Sequence, residues 1–91
     1  MPDGLRFIIK GRVDSVYAMP IQNTLDEAIN GGVKKIILNM SQVKFLSSAG
    51  IRMILLTHRT LTKAGGSLGI ERPSENVKNV LGMAALDELL I

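Results

Sequence analysis

The spacing of apolar positions changes repeatedly along the chain and marks out strands and helices in alternation. Residues 5–10 (LRFIIK) form a short β-prone run closed by Gly11, after which Asp14 and Ser15 open a turn. From Ala18 to Asn30, the residues Ile21, Leu25, Ala28 and Ile29 recur at helical spacing until Gly31 and Gly32 end the pattern. Pro20 fits this helix only in its first turn, where a missing N–H is harmless. Residues 33–39 (VKKIILN) have a continuous apolar centre, which reads as a central strand buried on both faces. After a loop through Ser41 and Phe45, a second helix is expected to begin near Ser47 and Ser48. It carries Ile51, Ile54, Leu55, His58 and Leu61 on one stripe and stops at Gly65 and Gly66. Ser67–Glu71 reads as a third strand interrupted by Gly69. Pro73 and Ser74 then start a shorter helix through Val77, Val80 and Leu81, and residues 86–91 form a last apolar helical piece.

This order of strand and helix predicts parallel neighbours joined by right-handed crossovers. The fold class is α/β: a single small domain over residues 1–91, with a mixed, mostly parallel β-sheet and helices packed on one face or both. A length of 91 residues suffices for one compact domain and not for two. An apolar fraction of 46% against 21% charged residues sets the chain apart from disordered sequences. With no Cys, disulfide scaffolds and thiolate sites are excluded, and a reducing, cytoplasmic location is expected. The net charge of +3 and three scattered aromatics (Phe7, Tyr17, Phe45) argue against nucleic acid as a partner. No apolar run approaches the roughly 18 residues of a membrane span, so no membrane insertion is expected.

Chemistry concentrates where the buried strand ends and Ser47 and Ser48 open a helix, the edge at which open α/β sheets place their sites. Either serine could serve only as an N-cap, its hydroxyl accepting from a free backbone N–H. A phosphoryl group there would add about −1.5 to −2 charges beside the positive end of a helix dipole, which tolerates anions. The fold would survive, while a docked partner would meet a new charge. That suits a binding switch.

The segment IILNMSQVKFLSSAGIR (residues 36–52) resembles the signature of STAS domains, the bacterial anti-sigma factor antagonists. The family's usual form is an apolar strand, Asp-Leu-Ser, Val, Phe and Asp-Ser-Ser-Gly-Leu. Upstream, KGRVD (residues 10–14) is similar to the Gly-x-x-Asp turn of that family, carried here by Gly11 and Asp14. KAGG (residues 63–66) and LDEL (residues 86–89) also fit the pattern. The resemblance implies a regulatory binding module, not an enzyme, that needs no cofactor and no metal. Its implied partners are a kinase-type anti-sigma factor and a serine phosphatase. The unmodified antagonist binds the kinase and frees a sigma factor, and the phosphorylated form does not. Aligned on Phe45 and Gly50, the phosphoacceptor falls on Ser48, with Ser47 where the family has Asp and Ala49 where it has Ser or Thr. Asn39 replaces the Asp of the Asp-Leu-Ser turn, while Ser41 is retained. The implied partner surface is Phe45, Leu46, Ser47, Ser48, Ala49, Gly50, Arg52, Met53 and Leu56. Relative to the family the chain is short at both ends, and the open sheet edge this leaves favours a homodimer or pairing with another chain. The alternative function is a non-switching STAS adaptor or scaffold subunit of a stress-signalling or lipid or anion transport complex.

Other candidates carry less. His58 lies on an apolar stripe with no second His nearby, whereas a metal site needs three or four converging ligands. The adjacent carboxylates of Asp26 and Glu27, and of Asp87 and Glu88, point about 100° apart on a helix. Ser48 lacks the Gly-x-Ser-x-Gly elbow of a serine hydrolase. Residues 65–69 lack the Gly-Lys-Ser/Thr ending of a phosphate loop. Arg52, Leu56, Arg59 and Lys63 share the outer stripe of the second helix, either as a solvated basic face or as a docking face in which Met53 and Leu56 form an apolar centre ringed by cations.

Overall fold

The computed structural model describes residues 4–91, so residues 1–3 of the domain expected over 1–91 lie outside the described part. The elements are β1 (Gly4–Val13), α1 (Ala18–Asn30), β2 (Lys35–Leu46), α2 (Ser48–Lys63), β3 (Ser67–Glu71), α3 (Glu75–Met83) and a 3-10 turn at Asp87–Leu89. β2 lies between β1 and β3, and both pairings are parallel. Both crossovers step the same way along the sheet, so right-handed connections carry α1 and α2 on one face. Pro20 is the third residue of α1, inside the first turn, where no intrahelical bond needs its N–H.

β2 is longer than the sequence pattern suggests. The stretch through Ser41 and Phe45, expected to be a loop, continues the strand as far as Leu46. Two bulges explain why its periodicity is hidden. Ile8 pairs with Asn39 and Lys10 with Gln42, so β2 spends three residues where β1 spends two. Gly11 then pairs with Val43 and Arg12 with Phe45, which adds a second extra residue. Each bulge lengthens the interval between inward side chains by one. The buried positions therefore run Ile36, Leu38, Met40 at spacing two, and then Val43 and Leu46 at spacing three. Gly11 does not close β1 as expected. It lies within the strand at φ +80°, opposite the bulged stretch of β2, in the left-handed region that glycine adopts without cost.

The core gathers inward residues of all three strands (Ile9, Val13, Ile36, Leu38, Leu68, Ile70) against Leu25 of α1, Met53, Ile54 and Leu61 of α2, and Val77 and Leu81 of α3. Burial of β2 is one-sided. Ile36 and Leu38 are fully buried, whereas Ile37, expected to be covered as well, is half-buried on the opposite face. The buried stripe of α2 also sits one residue from the expected one. Met53 and Thr57 lie inside it, while Ile51, Leu55 and His58 flank it half-buried.

β3 ends at Glu71, so among the described residues the bulged half of β2 has no strand on that side. The start of α3 takes the place of one: Ser74 Oγ donates to the Val43 carbonyl at 3.0 Å and Asn76 Nδ2 to the Lys44 carbonyl at 3.4 Å. The last segment, expected to be a helical piece, is helical only over Asp87–Leu89. After Ala85, which has φ +59°, comes the short 3-10 turn, and the chain then runs extended along β3. Leu90 bridges to Ile70, whose carbonyl accepts from the Ile91 N–H at 2.9 Å.

Candidate functional site

The second bulge delivers the chain to the carboxyl end of the sheet, where β2 passes into α2 through one residue. Ser47 is that residue, in an extended conformation at φ −85° and ψ 175°. Its hydroxyl accepts from the Gly50 N–H at 3.3 Å and donates to the Val13 carbonyl at 3.1 Å, and its own N–H donates to the same carbonyl at 3.0 Å. Ser47 is therefore both the N-cap of α2 and the clasp that ties α2 to the end of β1. A carboxylate at this position could still accept from Gly50 but could not donate to Val13, so serine is matched to the contact present here. Gly50 seals the junction. A Cβ on it would stand 2.8 Å from the Val13 carbonyl oxygen and 2.5 Å from a Leu46 methyl, so only glycine fits.

Ser48 is placed differently from its neighbour. It is the first residue of α2 and exposed, and no hydrogen bond among the described residues engages its hydroxyl. The two serines left open by sequence are thereby separated: Ser47 caps, and Ser48 presents a free hydroxyl at the positive end of a 16-residue helix.

Around Ser48 the expected surface divides. Phe45 is 38% and Leu56 37% exposed, and Arg52, Arg59 and Lys63 are exposed on the same stripe. Ala49 and Ser47 are half-buried. Leu46, Gly50 and Met53 belong to the interior, Met53 at 1% exposure, so Met53 is not the apolar centre of the outer stripe. The outer stripe expected from Arg52, Leu56, Arg59 and Lys63 is exposed, and Met53 lies about a quarter-turn from it, in the interior.

Three neighbours were not picked out from sequence. The Arg12 guanidinium lies 4.5 Å from the centre of the Phe45 ring, a cation–π contact that the second bulge creates by pairing these two residues. Val16 and Tyr17 are 69% and 56% exposed in the turn before α1. That turn is held by Asp14, whose Oδ1 accepts from the N–H groups of Val16 at 3.0 Å and Tyr17 at 3.3 Å. An apolar pair directly after a turn-forming Asp is the sequence signal for them.

The family turn residues on β2 lie on the sheet face away from α1 and α2. Asn39 Oδ1 accepts from both the N–H and the hydroxyl of Ser41, at 3.1 and 2.8 Å. Its Nδ2 donates to Glu71 Oε2 at 2.9 Å, and Arg6 Nε reaches the same oxygen at 2.9 Å. The Asn39 hydrogen bond, more than the charges of Arg6 and Arg72, holds the Glu71 carboxyl below its ordinary pKa, against a desolvation effect of opposite sign. An aspartate at position 39 could not donate to Glu71, and the two carboxylates would repel.

Among the described residues, no group of three His, Cys, Asp or Glu side chains could hold a metal ion, and no helix is long and apolar enough to cross a membrane. His58 is half-buried with its Nδ1 unpartnered among those residues.

Comparison with known proteins follows the same outline. A Thermotoga maritima protein assigned as an anti-sigma factor antagonist is 31% identical over 65 residues, covering 71% of this chain and 58% of the relative. BtrV of Bordetella bronchiseptica, assigned likewise, is 26% identical over 72 residues, covering 79% and 62%. The chain thus matches less than two thirds of the length of these relatives. The structure of the anti-sigma factor antagonist SpoIIAA in its unphosphorylated form superposes with a TM-score of 0.91 at 23% identity, covering all of this chain and 80% of that one. The phosphorylated form of Bacillus SpoIIAA gives a TM-score of 0.82 at 22% identity, covering 100% and 83%. The profile of the STAS domain matches residues 3–90. The chain belongs to the STAS domain family.

Proposed function

We propose that this chain is an anti-sigma factor antagonist: one STAS-type domain over residues 1–91 that docks a kinase-type anti-sigma factor and is released from it when Ser48 is phosphorylated. The observation that carries this reading is the division of labour between the two serines. Ser47 holds the helix, so the Ser48 hydroxyl is free for a kinase, and its modification leaves the cap intact. A phosphate at the first residue of α2 meets the positive end of the helix dipole, so the folded state accommodates it while the surface gains about two negative charges. The docking face is then Phe45, Ser48, Arg52 and Leu56, with Arg12 and Tyr17 at its margin. A serine phosphatase resets the switch. The reading is supported by relatives bearing the antagonist name and by a fold relative, SpoIIAA, known in phosphorylated and unphosphorylated forms.

The test is intact and peptide-level mass spectrometry after incubation with ATP and native lysate, with an established antagonist added as control. Phosphate on Ser48 is expected, and its absence while the control is modified overturns the switch. Binding to the kinase should be weakened by Ser48→Asp without loss of the fold, and equal binding by wild type and this variant would exclude a charge-operated release. Ser47 in place of the family's Asp favours the second reading, a non-switching adaptor. An unmodified Ser48 together with recovery in an oligomeric complex would establish that role instead.

A further inference from the structure

The helix that begins at Ser48 carries cations and no carboxylate. Between Glu27 and Glu71 the sequence contains no Asp or Glu, whereas Lys34, Lys35, Lys44, Arg52, Arg59 and Lys63 fall in that interval. α2 therefore lacks an acidic residue in its first turn, where one would offset the positive end of the helix dipole, while α3 has Glu75 there. The basic residues of α2 are Arg52, Arg59 and Lys63.

Two other arginines are already engaged. Arg12 lies 4.5 Å from the centre of the Phe45 ring and 3.6 Å from Asp14 Oδ2, and Arg6 reaches Glu71 at 2.9 Å. Arg52 is exposed and makes no ion pair or cation–π contact among the described residues. It stands four residues after Ser48 in α2. Helical positions four apart are stacked one turn above the other, and an anion four residues ahead of a cation is the stabilising order of such a pair. Helical side chains lean toward the N-terminus, so a long side chain at Arg52 covers the turn that Ser48 begins. The unmodified turn offers it a neutral hydroxyl. A phosphoryl group would offer oxygens that a planar guanidinium meets with two parallel hydrogen bonds.

We propose that Arg52 is the internal counter-ion of phosphorylated Ser48: the phosphate draws the Arg52 guanidinium back across the first turn of α2 and holds it there. This rests on Ser48 as the modified residue and adds what its phosphate does within the domain. Modification then changes the docking face twice, by placing an anion at Ser48 and by withdrawing the cation of Arg52. A partner carboxylate that pairs with Arg52 in the docked state loses its counter-charge to the phosphate.

The test installs the phosphoryl group on Ser48 during translation, as phosphoserine, and therefore needs no kinase. Phosphorus NMR follows the second ionisation of the phosphate, which for an unperturbed phosphoserine falls at about pH 6. Arg52→Gln, an exposed change to another good helix former, is expected to raise the midpoint by roughly 0.3–0.7 pH units relative to the parent phosphoprotein, and Arg52→Lys by less. Arg59 lies about 16 Å further along the helix axis, and Arg59→Gln should leave the midpoint within about 0.1 unit. In the parent, the Arg52 Nε–H resonance should differ between the phosphorylated and unmodified proteins. A midpoint unchanged by Arg52→Gln, equal shifts from Arg52→Gln and Arg59→Gln, or an Arg52 resonance insensitive to the phosphate overturns the proposal. Each of these results leaves release by charge at Ser48 intact. Failure of the lysate to modify Ser48, in contrast, overturns the switch and leaves this pairing standing.

Discussion

Residues 35–39 of β2 lie between two parallel neighbours and alternate strictly, whereas residues 40–46 pair with β1 alone and carry two extra residues. The first half is built for burial, with Ile36 and Leu38 fully covered by strands on both sides and helices above. The second half forgoes one ladder, has two of its carbonyls capped by Ser74 and Asn76, and in return aims Phe45, Ser47 and Ser48 at the end of the sheet. Within one strand, regular pairing provides the stability and irregular pairing positions the site.

If that division holds, the largest loss should come from the regular half. Leu38→Ala is expected to cost about 2–5 kcal/mol in chemical denaturation, through lost transfer energy and the cavity left behind. Gly50→Ala strikes the junction below the bulged half and should cost roughly 1–3 kcal/mol, because the new methyl meets the Val13 backbone. A greater loss from Gly50→Ala than from Leu38→Ala would reverse the comparison and make the site end the stability centre. Ser47→Ala removes a cap and a clasp and is expected to cost about 1 kcal/mol, while Ser48→Ala should stay within about 0.5 kcal/mol. Equal losses at the two serines would erase the distinction between them.

The smallest effect belongs to Glu71, where the two halves meet. Its folded pKa lies below the unfolded value of about 4.5, so its contribution is present above that pH and is lost as pH falls through the lowered folded value. Melting temperature followed from neutral to acid pH should fall less steeply for Glu71→Gln than for wild type. Identical acid limbs would show that the ionised form of Glu71 contributes nothing to stability.

The same contrast explains what could be read from the sequence. α1 and α2 follow helical periods, and they and β3 are legible with nearly the observed bounds, whereas of the central strand only the apolar start around Ile36 and Leu38 is. Residues 40–46 are not, because a spacing of three between Met40, Val43 and Leu46 matches neither template. Thr57 hid the buried stripe of α2, since a fully buried hydroxyl does not register as apolar. At the site, Phe45, Arg52 and Leu56 emerge on the surface as expected. Sequence could not assign the two serines, because the choice depends on a carbonyl 34 positions earlier, at Val13. Nor could it show why Asn stands at position 39, since its partner Glu71 is on another strand.

The bulges also make the site a matter of counting. Removing Lys44 would erase the second bulge yet leave Phe45 opposite Arg12 and Leu46 opposite Val13, with each side chain on the face it already occupies. Removing a residue from the regular half, between Lys35 and Asn39, would instead turn every later side chain to the other face or drag α2 along the sheet. Length should therefore drift among variants of β2 far more readily at the bulges than in the stretch that pairs on both sides.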